Sequence, residues 1–441
     1  MNAEKNIKIR IESWTPSTCS KVIDEFLERP AIDARAQASA RRILTDIRKR
    51  GDEAVAECVK RFDGASLSPD QWKVGKSELD AAREMVDADF VAAARETHKR
   101  VVAFARASRK KDWTMSSPKG GIVGEQFVPL KRVGVYIPGG SAPLVSTALM
   151  TVPLARIAGV QEIVACSPVG PSGEMNPYLL YALELAGATE IYKIGGIQAI
   201  GAMALGTSTI ARVQKIVGPG GKYVTAAKRC VYGDVALDLV AGPSEIAILA
   251  DRTALAGNVA ADLLSQAEHG TGLEKLLLVT PSKNLAASVQ AELVRQASTL
   301  SRRSAVIRVL REGTLLVVVN HLDAGMELCN QFAPEHLEII VREPRIWLKK
   351  VRNAGAVFAG AWSPECVGDY VAGPSHVLPT GGTATMFSGL SVDDFRKRTS
   401  IVAFTRADMQ AALHVVEAFG RVEGLDAHVR SARVRFDKAG T

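Results

Sequence analysis

The strongest constraint on the fold is a rhythm that runs twice through the middle of the chain. From about residue 129, short β-branched runs alternate with helical stretches: "VGVYIPGG", "STALMTVPLARIAG", "EIVACSPV", "PYLLYALELAG", "EIYKIGG", "QAIGAMALG" and "KIVGPG". After "CVYGDVALDLVAGPS" the pattern restarts with "EIAILAD", "AGNVAADLLSQAEHG", "KLLLVTPS", "NLAASVQAELVRQAS", "TLLVVVN", "LDAGMELCNQ", "LEIIV" and "AVFAG". Strands separated by helices pair in parallel, because a crossover helix returns the chain to the same sheet end. The sequence therefore predicts an α/β protein with two consecutive units, 129–243 and 244–382, each an open and mainly parallel sheet covered by helices. Residues 1–128 read as a helical region, expected to pack with the second α/β unit, and 383–441 as a short, polar tail domain.

Val133 to Ala155 runs uncharged over a membrane-like length. Pro138, Pro143 and Pro153 with Gly134, Gly139 and Gly140 divide it into strand, loop and helix, so no membrane span is expected. The 441 residues are 47% hydrophobic and 23% charged, the balance of a soluble globular protein, and the net charge of +8 permits anionic ligands. The basic clusters lack interleaved aromatics, which argues against nucleic acid. Six scattered cysteines without a CxxC pair, behind a charged amino terminus, predict reduced thiols in the cytoplasm.

Seven histidines make their neighbourhoods informative. His98, His321 and His414 have structural contexts. In "DLLSQAEHG", Gln266 and His269 are three apart and project from one side of a helix end, which suits gripping a metal ion together. The alternative is a polar helix end, with His269 at the negative pole and Gly270 as cap. In "FAPEHL", Glu335 and His336 are adjacent, so they point in different directions and fit two acid–base duties, unless the segment is a surface loop. "SPECVGDYVAGPSHVLPTGG" places Cys366, Asp369 and His376 in one Gly/Pro-rich segment. With Gln266, His269 and His428, these make an N/O ligand set for a metal such as zinc conceivable, though spacing alone does not assemble it. Neither a GxGxxG nor a GxxxxGK[ST] motif is present. Three glycine turns, "YIPGG", "IGGIQAIG" and "VGPGGKY", each follow a strand and precede a helix, where backbone amides can meet a nucleotide's phosphates or simply close a tight turn.

Taken in order, "VYIPGGSAPLVSTALM", "IYKIGGIQAIGAMALGT", "LVAGPSEIAILAD", "DLLSQAEHG", "NQFAPEHL" and "SPECVGDYVAGPSHVLPT" resemble the histidinol dehydrogenase family, from "GDEAVAECVKRFDG" at 51 to "GLDAHVRSARVR" at 435. The resemblance implies oxidation of L-histidinol to L-histidine with two NAD, on a homodimer of incomplete Rossmann-like units with one zinc per site. It implies zinc ligands Gln266, His269, Asp369 and His428. Substrate contacts would come from these four with Ser244, His336, His376 and Glu423. Catalysis would fall to Glu335, activating water, and His336, taking protons. Tyr136 and Gln198 match NAD-contacting positions, and Gly221 stands where the family usually carries Asn. The tail, with Glu423 and His428, would complete the neighbouring subunit's site. A sister zinc/NAD dehydrogenase acting on another amino- or sulfo-alcohol, an inactive homologue and a nucleic-acid-binding protein are the competing readings. Gln266, His269, Glu335 and His336 all precede strands, whereas ligands of open α/β sheets usually bind at the strands' carboxyl ends.

Overall fold

The computed structural model describes residues 7–17, 19–28, 33–139, 144–240, 242–269 and 271–437. The chain opens with β1 (Arg10–Trp14), α1 (Lys21–Leu27), α2 (Ala34–Arg50), α3 (Asp52–Cys58), α4 (Lys76–Met85), α5 (Ala88–Ser108), β2 (Trp113–Ser116) and β3 (Ile122–Pro129). The first α/β pass gives β4 (Arg132–Tyr136), α6 (Val145–Ala158), β5 (Glu162–Cys166), α7 (Pro177–Ala186), β6 (Glu190–Tyr192), α8 (Gly196–Leu205), β7 (Lys215–Val217), α9 (Lys222–Cys230) and β8 (Ala236–Leu237). The second gives β9 (Glu245–Ala250), α10 (Ala256–Ala267), β10 (Lys275–Thr280), α11 (Lys283–Ala297), α12 (Arg303–Glu312), β11 (Thr314–Val319), α13 (Leu322–Phe332), β12 (His336–Ile340), α14 (Pro344–Trp347), β13 (Ala356–Ala359) and α15 (Glu365–Tyr370). The chain ends with β14 (Arg396–Ala403), α16 (Arg406–Glu423) and α17 (Asp426–Arg433). Among the described residues no helix is long and apolar enough to cross a membrane.

Both α/β sheets are wholly parallel. The first has the order β6-β5-β4-β7-β8 and the second β1-β11-β10-β9-β12-β13. Setting β1 aside, the two orders are the same: a founding strand (β4 or β9), two successors on one flank, then a return to the other flank. Each sheet therefore switches direction between its founding strand and the first strand of the return, β4/β7 and β9/β12. Strands β9 and β11 are buried along their whole length, which is why they read as continuous apolar runs rather than alternations.

Two expectations are corrected. Most of the amino-terminal helices pack on the first unit rather than the second: α2 lies against α8 and α9, α4 against α7, and α5 against α6, while α5 also meets the second unit where Thr97 Oγ1 donates to the Tyr370 carbonyl. Ala36, Ala40, Ile43 and Ile47 share one face of α2 and enter the first sheet's core. The small-residue surface of α8 admits this approach, since a Cβ at Gly201 would come within 2.7 Å of Ile47 Cδ1. β1 and α1 serve the second sheet, through β1–β11 pairing and burial of Trp14 and Ile23.

The second correction concerns the tail. Residues 109–129 and 396–441 form a compact unit of their own, in which β2 and β14 flank β3 in an antiparallel sheet, with Ile401 opposite Gly124. Asp408 ties this unit's turn to its helix, accepting hydrogen bonds from Ser117 Oγ (2.7 Å) and from the backbone N–H groups of Lys119, Gly121 and Thr405. Residues 383–395 belong instead with the α/β sheets, where Val392 and Phe395 are buried in the first sheet's core.

Candidate functional site

In a parallel α/β unit the helices run against the strands, so helix carboxyl ends gather at the strands' amino edge. α10 and α13 both end there. α13 is stopped by Ala333, the one non-glycine with positive φ (48°) among the described residues, followed by Pro334. That turn delivers Glu335 and His336 to the start of β12. Strand alternation then turns Leu337 and Ile339 into the core under α13 and sends His336 and Glu338 to the opposite face.

On that face α15 packs against α10. His336, 3% exposed, has Nε2 3.9 Å from Glu365 Oε1 and Nδ1 3.9 Å from Glu335 Oε2. The same Glu335 oxygen accepts the Glu245 N–H at 3.1 Å, so the carboxylate lies between that amide and the imidazole. Asp369 Oδ1 is 3.5 Å from His376 Nδ1, and Ser244 Oγ is 2.9 Å from His269 Nδ1. Gln266 is fully buried beside the Glu365 carboxyl with neither amide atom in a well-formed hydrogen bond within the chain, and His376 Nε2 and His336 Nδ1 are likewise buried without one. Polar atoms sealed away in this manner are costly unless a further group satisfies them. Ligand atoms of His336, Glu365 and Asp369 lie within 4.8 Å of one another.

Burial sets the protonation states. It pushes the Glu335 carboxyl well up, opposed in part by the Glu245 N–H, and it lowers the His336 imidazole to about 4 against the pull of Asp369. Burial also acts to raise Asp369, but the hydrogen bond and charge of His376, with the charges of His336 and His269, outweigh it and hold this carboxyl low. The edge thus combines a neutral imidazole, a reluctant carboxyl and an ionised carboxylate beside unsatisfied nitrogen and oxygen donors. That donor set fits a divalent cation of the zinc type.

Ser244, Gln266, His269, Glu335, His336, Asp369 and His376 are therefore brought to the amino edge of the second sheet, on the side that the usual rule for open sheets does not favour. Cys366 does not join them; its side chain is exposed. Gly270 lies outside the described residues. Glu423 ends α16 and His428 sits in α17, both exposed and both in the unit of 109–129 and 396–441. Sequence reasoning missed Glu338 and Glu365. Glu338 accepts the Glu365 N–H at 2.7 Å, and Ser265 Oγ donates to Glu365 at 2.9 Å. The available signal was a period of two: Glu338 follows His336 by two in a strand, so it shares its face.

Tyr136, Gln198 and Gly221 gather at the carboxyl edge of the first sheet. Tyr136 ends β4, and its hydroxyl accepts the Gly196 N–H at 3.1 Å. Gln198, in α8, is buried with its amide beside the Asp63 carboxyl. Gly221 precedes α9 as a cap with no side chain, and a Cβ there would meet nothing within 4 Å.

The comparisons bear on both edges. The family model described as histidinol dehydrogenase matches residues 27–436. Histidinol dehydrogenase of Heliobacterium mobile is 44% identical over 94% of this chain and 97% of the relative, and that of Moorella thermoacetica 46% identical over 93% and 96%. The crystal structure of histidinol dehydrogenase from Elizabethkingia anophelis, 35% identical, superposes with a TM-score of 0.91 and covers 97% of both chains. On this agreement of sequence and fold across nearly the whole length, the chain belongs to the histidinol dehydrogenase family.

Proposed function

We propose that this chain carries out the four-electron, NAD-dependent oxidation of L-histidinol through L-histidinaldehyde to L-histidine, the last step of histidine biosynthesis. The observation that carries the reading is the pairing of two buried groups at the start of β12: His336 lies between Glu365 of the donor cluster and Glu335, 3.9 Å from each, while Glu335 accepts the Glu245 N–H. When bound, NAD supplies the hydride acceptor and Zn²⁺ a cationic template that orients the substrate. Gln266, His269 and Asp369, with His428 of a second copy, would hold the metal, and Ser244, His376 and Glu423 the substrate.

The chain's own groups then divide the proton work. His336, kept neutral by burial, takes the hydroxyl proton as the alcohol carbon is oxidised. Glu335 takes a proton from the water that adds to the aldehyde; a carboxyl pushed up by burial is the stronger base once ionised. His336 takes the next proton from the hydrate in the second oxidation. Tyr136, Gln198 and the turn at Gly221 would receive the nucleotide.

A homodimer is supported by an uncovered face. Val415, Phe419 and Val422 of α16 fall at helical spacing and are 44%, 63% and 80% exposed, an apolar stripe that suits burial against a second copy. All six cysteines are free, as suits the cytoplasm. The test is stoichiometric: purified enzyme should form two NADH per histidinol with no aldehyde accumulating. One NADH per histidinol would reject the four-electron reading.

A further inference from the structure

The first sheet changes direction between β4 and β7, and a crevice at such a switch point is where open α/β sheets receive nucleotides. Tyr136 ends one of these strands and Gly218 follows the other. Gly218 has φ +112°, and a Cβ on it would run into the Tyr136 carbonyl oxygen, so this position needs glycine and the two strand ends lie close together.

Both peptide groups of Gly218 are held by one buried ion pair. Its N–H donates to Asp238 Oδ2 at 2.7 Å, its carbonyl accepts from Lys228 Nζ at 3.0 Å, and Lys228 Nζ bonds the other Asp238 oxygen. The two side chains are 3% and 1% exposed. Lys228 comes from α9, which starts just after the "VGPGG" turn, and Asp238 follows β8, so the pair closes the turn from two sides.

A fully buried ion pair is often no more stabilising than well-packed apolar residues of the same volume, so stability alone is a poor account of it. What an apolar pair could not do is grip a glycine's N–H and C=O at once. We infer that Lys228 and Asp238 are positioning residues for the nucleotide: they fix the Gly218 peptide groups, and with them the turn leading into α9, in the conformation that receives NAD before NAD arrives. The inference rests on the NAD reading above. Neither residue touches the amino edge of the second sheet, so the pair should govern nucleotide affinity and leave the metal and histidinol untouched.

The test is the double variant Lys228→Met/Asp238→Leu, in which no charge is left buried alone and neither side chain can bond Gly218. By titration its Kd for NAD should rise about tenfold or more, with metal content and the KM for histidinol unchanged. A folded double variant that binds NAD within about twofold of wild type would overturn the inference. Should the variant not fold, hydrogen exchange on the intact wild-type enzyme decides. The Gly218 amide should be as protected without NAD as the neighbouring β7 amides and be slowed by saturation no more than they are, whereas a slowing about tenfold greater than theirs would show that the cofactor sets the turn. Wild-type titration separates the two layers of the argument, since a wild-type enzyme that binds no NAD refutes the nucleotide reading itself rather than the clamp alone.

Discussion

The two parallel sheets share one topology, and their candidate residues lie at opposite ends of it. In the first, Tyr136, Gly218 and Gly221 collect at the carboxyl edge around the β4/β7 switch. In the second, Ser244, Glu335 and His336 collect at the amino edge around the equivalent β9/β12 switch. The difference has an electrostatic logic. Helix amino ends, with free N–H groups and partial positive charge, meet the carboxyl edge and favour a phosphate-bearing nucleotide. Helix carboxyl ends meet the amino edge, and there α10 and α13 present partial negative charge that favours a cation. Each helix end contributes only about 0.3–1 kcal/mol, so the dipoles bias the choice while the side chains decide it. On the proposed reading, the shared topology positions both sites and the edge sets the charge that each one favours.

The largest effects should come from the amino edge of the second sheet. His336→Asn is expected to slow both oxidations by about 10²–10⁴-fold, the usual weight of a general base. Glu335→Gln should slow the aldehyde oxidation more than the alcohol oxidation, because only the former needs water activated. The two half-reactions can be followed separately by starting from histidinol and from histidinaldehyde. Equal losses in both for Glu335→Gln would break the division of labour.

Metal retention comes next. His269→Ala and Asp369→Asn should lower metal affinity by about ten- to a hundredfold or more, read as bound zinc after dialysis, while leaving NAD binding at the first sheet intact. Loss of NAD binding in step with the metal would mean that the edges are not independent. The same variants test the shared site. Mixed His269→Ala and His428→Ala chains should regain about a quarter of all sites, because random pairing leaves half the dimers with one intact ligand set. Demonstrably mixed dimers as inactive as the parents would place all four ligands in one chain.

The comparison also shows what a sequence discloses. The two α/β passes were legible because "EIAILA" and "TLLVVV" are buried on both faces and advertise themselves as apolar runs. The motif residues were legible because rare histidines stood beside carboxylates and amides. Strands β2 and β3 were not, since the partner that completes their sheet, β14, lies some 270 residues on, and short alternations mean little without it. The docking of α2 depended on Gly201 in α8, an ordinary helix glycine until its neighbour is known. Glu338 hid as a single acid in an apolar run and Glu365 in a Gly/Pro-rich segment, until other elements folded over them.

The smallest expected effect is the sharpest test of the carboxyl edge. Gly221 has φ −65° and ψ 174°, a conformation open to any residue, and a Cβ there meets nothing within 4 Å, so Gly221→Asn should fold without strain. As a helix cap, Asn in place of Gly changes stability by only a few tenths of a kcal/mol. If the turn faces the nucleotide, one added hydrogen bond of about 0.5–1.5 kcal/mol should tighten NAD binding by roughly two- to tenfold. Metal content should stay where it was, because the substitution lies on the other sheet and the other edge. A tightening of NAD without change in the metal would separate the two edges by a single side chain. Unchanged NAD affinity in a variant of wild-type stability would mean that the turn into α9 does not meet the nucleotide, and would move the first sheet's function away from β7 towards the Tyr136 and Gln198 side of the same crevice.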